Sequence, residues 1–411
     1  MRLLHVSTLQ PRSFELRDAP VYAILSHTWG EEEISFRDLT ERANDRNRVG
    51  WKKILSMCEV CKSKGLNWVW IDTCCIDKSS SAELSEAINS MFAYYKQSEL
   101  CIAYLGDVLP HYQNDDGEEV SEKAFERSRW FTRGWTLQEL IAAERIYFCA
   151  QDWSIIGNKN SLRDLLHSIT LIDSKVLMYP QMIDDCSIAQ RMSWASKRET
   201  TRPEDEAYSL MGIFSVNMPL LYGEGGKNAF LRLQKEILKD STDHSLFTWT
   251  ETSNTRFEEP SDYAVSSEYY GGLLAYSPRE FTECGEIGVL IRRDRLAEEE
   301  PYDMTNVGLR IRLPIMEVSE SHHIALLDCN YSNRDDDYLG IRLSPSTPRR
   351  DDEKFFERLI LHKPFNVRVG PRRIGPVGDT QAVFAQAPGD CLREVRIRMM
   401  YFRQFRWGEI D

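Results

Sequence analysis

Glu139 is the side chain of this sequence best placed to do chemistry. It follows an aromatic and arginine-rich approach, Arg129, Trp130, Phe131, Thr132, Arg133 and Gly134, on a segment whose neighbours Leu137 and Leu140 are apolar. One side of its carboxylate is therefore expected to lose water. Such a carboxylate either forms an ion pair with a local cation such as Arg133 or acts on a polarised sugar or glycosidic bond. A second set of polar residues gathers elsewhere. In an open parallel sheet, ligands bind beyond the carboxyl ends of the strands, and that rim would collect Ser26, His27, Trp29, Asp72 and Asp77. Taken alone, Asp72 reads as a helix or turn cap.

Other motifs fail on inspection. Gly223, Glu224, Gly225, Gly226 and Lys227 have the look of a phosphate loop, but Leu221 stands where the first glycine belongs and Asn228 replaces the magnesium-binding hydroxyl. Ser26 and His27 adjoin, yet no glycine-flanked elbow surrounds the serine, which argues against a serine hydrolase. Cys58 and Cys61 have the gap of a metal or redox pair, with Cys74 and Cys75 close behind. However, the first two continue a helical apolar stripe with Ile54, and the adjacent second pair diverges at a strand end. They read as buried small hydrophobes, and no metal site is expected. The polar run Arg198, Thr200, Thr201, Arg202, Glu204 and Asp205, before a helix with Tyr208, reads as capping.

The elements that must position these residues alternate. An apolar strand over 21–25 opens into a loop from Ser26. A helix over 51–64 stops at Gly65, a strand over 68–71 leads to Asp72, a helix spans 81–96, and a strand covers 100–105. This alternation predicts an α/β fold, a parallel sheet flanked by helices. Residues 107–122 are acidic and read as a surface loop. A helix over 135–140, a strand over 145–149 and a mainly helical extension over 161–238 follow. From about residue 241 short strand-like runs recur, at 272–276, 288–291, 307–313, 323–328, 338–343, 355–361 and 392–401. They predict a mostly antiparallel β domain, with the polar stretch 251–262 dividing domains at 1–255 and 256–411.

Composition narrows the partners. A chain of 411 residues, 42% hydrophobic, is long enough for two cores. Its net charge of −13 argues against nucleic acid and anionic lipid, and local basic residues such as Arg372 and Arg373 read as a solvated loop. No signal-peptide core and no apolar run of about 18 residues is present, so the expectation is a cytoplasmic protein without a membrane span. Ten cysteines fit reduced thiols.

Four blocks in order resemble the heterokaryon-incompatibility (HET) domain of filamentous fungi. They are 22–30 (Y-A-I-L-S-H-T-W-G), 70–77 (W-I-D-T-C-C-I-D), 129–140 (R-W-F-T-R-G-W-T-L-Q-E-L), and 191–236, with R-M-S-W-A-S-K-R-E-T-T-R-P-E-D-E-A-Y and L-Y-G-E-G. The resemblance covers somewhat more than the first half of the chain. It implies a role in programmed cell death when incompatible fungal cells fuse, a form of fungal innate immunity. The HET domain is remotely similar to Toll/interleukin-1 receptor (TIR) domains, with a parallel five-stranded sheet, many of which hydrolyse NAD with one glutamate. Trp135, Thr136, Leu137, Gln138, Glu139 and Leu140 correspond to the plant-type pattern Trp-Cys-Leu-x-Glu-Leu, with Thr136 in place of cysteine. The loop after the second strand lacks the glycine-rich TIR character, and 151–238 has no TIR counterpart.

The resemblance therefore implies an NAD glycohydrolase with Glu139 as catalytic residue, contacting ribose hydroxyls as an oxocarbenium-like transition state forms. Trp29 or Trp135 would stack on a base or nicotinamide ring, Arg133 would hold a phosphate, and Ser26, His27, Asp72 and Asp77 would complete the substrate rim. NAD would be a substrate, with no tightly bound cofactor. The rival expectation is a non-catalytic module that self-associates and recruits a death executor. A third is a receptor whose β domain binds a ligand. The sensor is then expected to be either that β domain or a separate sensor or regulator protein.

Overall fold

The computed structural model describes residues 1–41, 48–110, 120–250, 269–289, 302–305, 308–319, 322–331, 337–346, 355–360, 365–368 and 392–398. They fall into two compact units, Met1–Asp185 with Lys197–Ala229, and Cys186–Ser196 with Phe230–Asp411. The polar stretch 251–262, the basic pair Arg372 and Arg373, and 111–119 of the acidic segment lie outside the described residues.

The first unit begins with a hairpin of β1 (Arg2–His5) and β2 (Pro11–Ser13). Next comes β3 (Ala23–His27), buried at every position. Helices α1 (Phe36–Thr40) and α2 (Val49–Ser63) lead to β4 (Trp68–Trp70), and α3 (Asp72–Cys75) and α4 (Ser81–Gln97) lead to β5 (Leu100–Tyr104). After α5 (Val120–Glu126), a 3-10 turn (Arg129–Thr132) and α6 (Trp135–Ala142), the chain forms β6 (Ile146–Cys149) and β7 (Ile155–Asn158). Among the described residues the sheet order is β2-β1-β4-β3-β5-β6-β7. Strands β4, β3, β5 and β6 are mutually parallel, as their near-continuous apolar runs predict for strands covered on both faces.

Several expectations need correction. The sheet is mixed, because β1 pairs antiparallel with β4 and β7 pairs antiparallel with β6. The strands outside the parallel set, β1, β2 and β7, hold only three or four residues each, too few for a period-two pattern to register. Ser26 and His27 are the last residues of β3, where a loop was expected. Cys74 and Cys75 lie in the short helix α3 instead of a strand end. As expected, Cys58 and Cys61 are buried on α2 with Ile54, and Gly65 takes a left-handed φ of 73° just past that helix.

The strand order sets a switch point in the parallel part of the sheet. From β3 the chain runs to β4 on one side and then crosses to β5 on the other. The carboxyl ends of β3 and β5 thus flank the switch point of the parallel strands, where neighbouring connections run in opposite directions, the place at which open α/β sheets take their ligands.

The helical extension consists of the short helices α7 (Arg163–Thr170), α8 (Ser174–Met178), α9 (Ile188–Ser193) and α10 (Asp205–Tyr208) and the longer α11 (Gly226–Asp240). The last two lie on either side of a glycine-rich loop.

In the second unit the strands are β8 (Tyr269–Gly271), β9 (Ile287–Val289), β10 (Asp303–Met304), β11 (Gly308–Ser319), β12 (His322–Leu327), β13 (Cys329–Tyr331), β14 (Asp337–Ser346), β15 (Phe355–Ile360), β16 (Phe365–Arg368) and β17 (Leu392–Arg398). Pairing runs in a ring through β14, β12, β11, β17, β15 and back to β14. Among the described residues every pair is antiparallel except β15 with β17. The run 272–276, expected as a strand, follows β8 as bends and turns, with the Ala275 amide and carbonyl bonded to the Gln234 side chain.

Candidate functional site

Neighbouring residues of a strand point to opposite faces, so Ser26 and His27 anchor two different sets of partners. Ser26 faces α6. Its hydroxyl donates to Glu139 Oε2 and accepts from Trp130 Nε1 at 2.8 Å. Trp130 is fixed by edge-to-face packing on Phe131 and Phe148, with centroids 5.1 and 5.6 Å apart. That aromatic cluster holds the 3-10 turn from which α6 starts. The Tyr95 hydroxyl on α4 reaches both Glu139 and the Leu25 carbonyl, the latter at 3.1 Å.

Glu139 is 6% exposed. Burial pushes its carboxyl up to about 8; the Asp72 charge adds to this, while bonds from Ser26 and Tyr95 and the charge of Arg198 oppose it. It thus holds its proton at neutral pH and becomes a carboxylate above about 8.

Two buried cations hold the helix that carries it. Arg198 Nη1 donates to the Arg133 carbonyl at 2.8 Å and to Thr136 Oγ1 at 2.9 Å, at the first turn. Thr136, where the TIR-like pattern has cysteine, donates onward to the Trp130 carbonyl at 2.5 Å. At the other end Lys159, 1% exposed, donates to the carbonyls of Ala143 at 2.8 Å and Ile141 at 3.3 Å. Those carbonyls end the helix without intrahelical partners, and a cation suits the negative end of the helix dipole. Burial pulls the Lys159 amine down to about 7.

On the opposite face, His27 Nε2 lies 2.9 Å from Asp72 Oδ1, and its Nδ1 lies 3.0 Å from Lys53 Nζ. An ammonium offers only donors, so Nδ1 accepts and Nε2 carries the proton that is donated to Asp72. Lys53 is in turn paired with Glu33. Asp72 Oδ2 accepts from Trp29 Nε1 at 2.7 Å. Burial pushes the Asp72 carboxyl up, but the His27 bond, the charge of Lys78 and the Trp29 bond outweigh it and leave the group below its ordinary range. Asp72 thus binds His27 and Trp29 in place of the capping role, and α3 has no side-chain cap bond.

The geometry therefore joins Ser26 to Glu139, and His27 to Asp72 and Trp29, at the carboxyl rim of β3 and β4. The other expected residues go elsewhere. Asp77 accepts from the Ser79 amide and hydroxyl at 3.0 and 2.6 Å, closing a surface turn. Arg133 Nη2 donates to Thr201 Oγ1 at 3.0 Å, and Trp135 Nε1 donates to Asp205 Oδ2 at 3.2 Å. Arg133 is thereby tied to the segment before α10, and Trp135 to the first residue of that helix. Glu204 on that segment, expected to cap, makes no side-chain cap bond. Its carboxylate accepts from the amides of Gly223 and Gly225 at 2.8 and 3.1 Å. These two glycines have φ of 101° and 82°, so the loop wraps its amides around the chain's own carboxylate.

Sequence reasoning missed Lys53, Lys78, Tyr95, Trp130 and Lys159 as members of this array. Trp130 lay inside a block already noted for its aromatics; Lys159 sits in a polar turn with no pattern around it.

Among the described residues no helix is long and apolar enough to cross a membrane. Nor does any group of three or more His, Cys, Asp or Glu side chains there form a set that could hold a metal ion.

Comparison with known proteins supplies the kinship. No solved structure matches the chain. Residues 228–344 match a domain of unknown function (DUF8212), and residues 22–124 match the heterokaryon incompatibility protein (HET) family. A relative, vegetative incompatibility protein HET-E-1 of Podospora anserina, is 46% identical over 223 residues, which cover 54% of this chain and 16% of the relative. The chain thus spans a small part of that relative's length. The matched residues 22–124 contain β3, β4 and β5 with Ser26, His27, Trp29 and Asp72, and on this evidence the chain carries a heterokaryon incompatibility (HET) domain.

Proposed function

We propose that this chain is a cytoplasmic cell-death effector of the heterokaryon-incompatibility type, whose first unit cleaves NAD at the nicotinamide glycosidic bond in the manner of TIR domains. The name of the HET-E-1 relative supports the incompatibility role. The observation that carries the enzymatic reading is the buried carboxyl of Glu139, bonded to Ser26 beside the switch point of the parallel strands.

In this reaction the bond between ribose C1′ and the pyridinium nitrogen breaks, and its electron pair neutralises the departing nicotinamide. The ribose is left as an oxocarbenium ion, which water captures with loss of a proton. Glu139 in its carboxylate form stabilises the developing positive charge. The positive pyridinium, on binding, favours that ionised form and so draws the carboxyl down from about 8. Ser26 orients the carboxylate, and the chain of Glu33, Lys53, His27 and Asp72 fixes the opposite wall of the rim.

The low exposure of Glu139 favours a second reading, in which the domain is an assembly module that self-associates and recruits an executor. One experiment separates the two. Purified protein is incubated with NAD over a concentration series, with nicotinamide release followed by chromatography and assembly by light scattering. Release by the native chain and its loss in Glu139→Gln supports catalysis. Equal silence of both while the protein is assembled overturns it in favour of the scaffold.

A further inference from the structure

The indole of Trp29 is 54% exposed, yet it is gripped at its edge. Nε1 donates to Asp72 Oδ2 at 2.7 Å, and Asp72 is itself held by His27 at 2.9 Å. Over one face of the ring sits the ammonium of Lys78, 3.6 Å from the centroid. Lys78 occupies a turn closed by Asp77, whose carboxylate accepts from Ser79 and whose carbonyl accepts from the Ser80 amide at 3.1 Å. Among the described residues Lys78 makes no direct ion pair, although Asp72 and Glu33 attract it from further off.

An indole face is negative at its centre and draws cations, and a carboxylate bonded to the ring's N–H adds to that attraction. A lysine held there by the ring and by carboxylates that it does not touch is a weak occupant, because water solvates a compact ammonium well. A flat cation with diffuse charge stacks better and is less hydrated.

We infer that the Lys78-covered face of Trp29 is a binding site for a flat aromatic cation of the pyridinium class, and that Lys78 is its built-in competitor. The site then selects by charge. A neutral ring of the same shape gains little from the face and does not displace the ammonium. Removing the lysine frees the face and leaves Asp72 to attract the ligand. The inference rests on reading this rim as the NAD site, where the oxidised nicotinamide ring would be the cation.

The test is equilibrium binding, so it stays separate from cleavage and from Glu139. The probe is 1-methylnicotinamide, a pyridinium with no ribosyl bond to break, with neutral nicotinamide as control; binding is measured by calorimetry or ligand-observed NMR on the full chain. Lys78→Met is expected to bind the cation about tenfold more tightly than the native chain, with neutral nicotinamide unchanged. Adding Trp29→Ala to Lys78→Met removes the gain. Lys78→Arg, which restores a stacked cation, keeps the native affinity. Unchanged cation affinity in Lys78→Met, equal tightening of the neutral control, or a gain that survives Trp29→Ala each overturns the proposal. Circular dichroism establishes that these surface variants are folded. Absence of NAD cleavage leaves this result standing, and absence of cation binding leaves the role of Glu139 standing.

Discussion

Ser26 and Glu139 stand 113 residues apart in sequence and share a hydrogen bond in the buried part of the candidate site. Because the same hydroxyl accepts from Trp130, one small residue ties β3 to the 3-10 turn and to α6. The carboxyl is thereby set by the end of a strand that is buried throughout and paired on both sides.

Ser26→Ala should lower stability by about 1–3 kcal/mol, the cost of leaving buried polar groups without partners. Both the Trp130 N–H and the Glu139 carboxyl lose a partner. Urea denaturation of the two proteins measures the difference.

The raised Glu139 carboxyl makes stability depend on pH. Between about 4.5 and about 8 the unfolded chain releases this proton while the folded chain keeps it. Its contribution is therefore full below about 4.5 and is lost as pH rises towards 8, with a slope of at most about 1.4 kcal/mol per pH unit. Glu139→Gln removes the slope. Its melting temperature, relative to the native chain, should rise from pH 5 to pH 8 and then level off, in scans at fixed ionic strength.

Lys159→Met should destabilise the protein by about 1–3 kcal/mol at neutral pH by stripping the donor from the carbonyls of Ile141 and Ala143. The sign of the pH effect is opposite to that of Glu139. With the folded amine drawn down to about 7 from 10.5, the cost of the buried charge is relieved as pH rises through that window. Native stability should gain a contribution between pH 7 and 10 that the methionine variant lacks, read from urea midpoints.

Gly134→Ala tests the packing at the start of α6. Gly134 has ordinary helical φ of −59°, so the backbone does not require glycine there. Space does: an added Cβ would lie 2.5 Å from Thr200 Cγ2 and 3.3 Å from Ser209 Oγ. The substitution should cost about 1–3 kcal/mol and loosen the Gly134 amide from the Glu199 carbonyl, now 2.9 Å away. Thermal unfolding measures the loss, and faster amide exchange at Gly134 locates it.

What local pattern determines in this protein is the alternation of buried strands and helices around 21–149, the placement of Ser26 and Asp72 near element ends, and that of Glu139 on a largely apolar helix. Apolar periodicity and the glycine stop after α2 are local properties, and neighbouring residues suffice to read them. The short strands outside the parallel set escaped for the same reason in reverse, since β1, β2 and β7 are stabilised by neighbouring strands and not by a pattern of their own.

Only the tertiary structure decided which polar groups meet. Arg133 and Trp135 lie beside Glu139 in sequence, yet they bond to Thr201 and Asp205. The partners of Glu139 come instead from β3, α4 and the segment near Arg198, and the cation at the end of its helix comes from beyond β6. Spacing along a chain selects the face on which a side chain emerges. Which distant group waits on that face depends on the order in which strands join the sheet, and that order is settled by burial of the whole core at once.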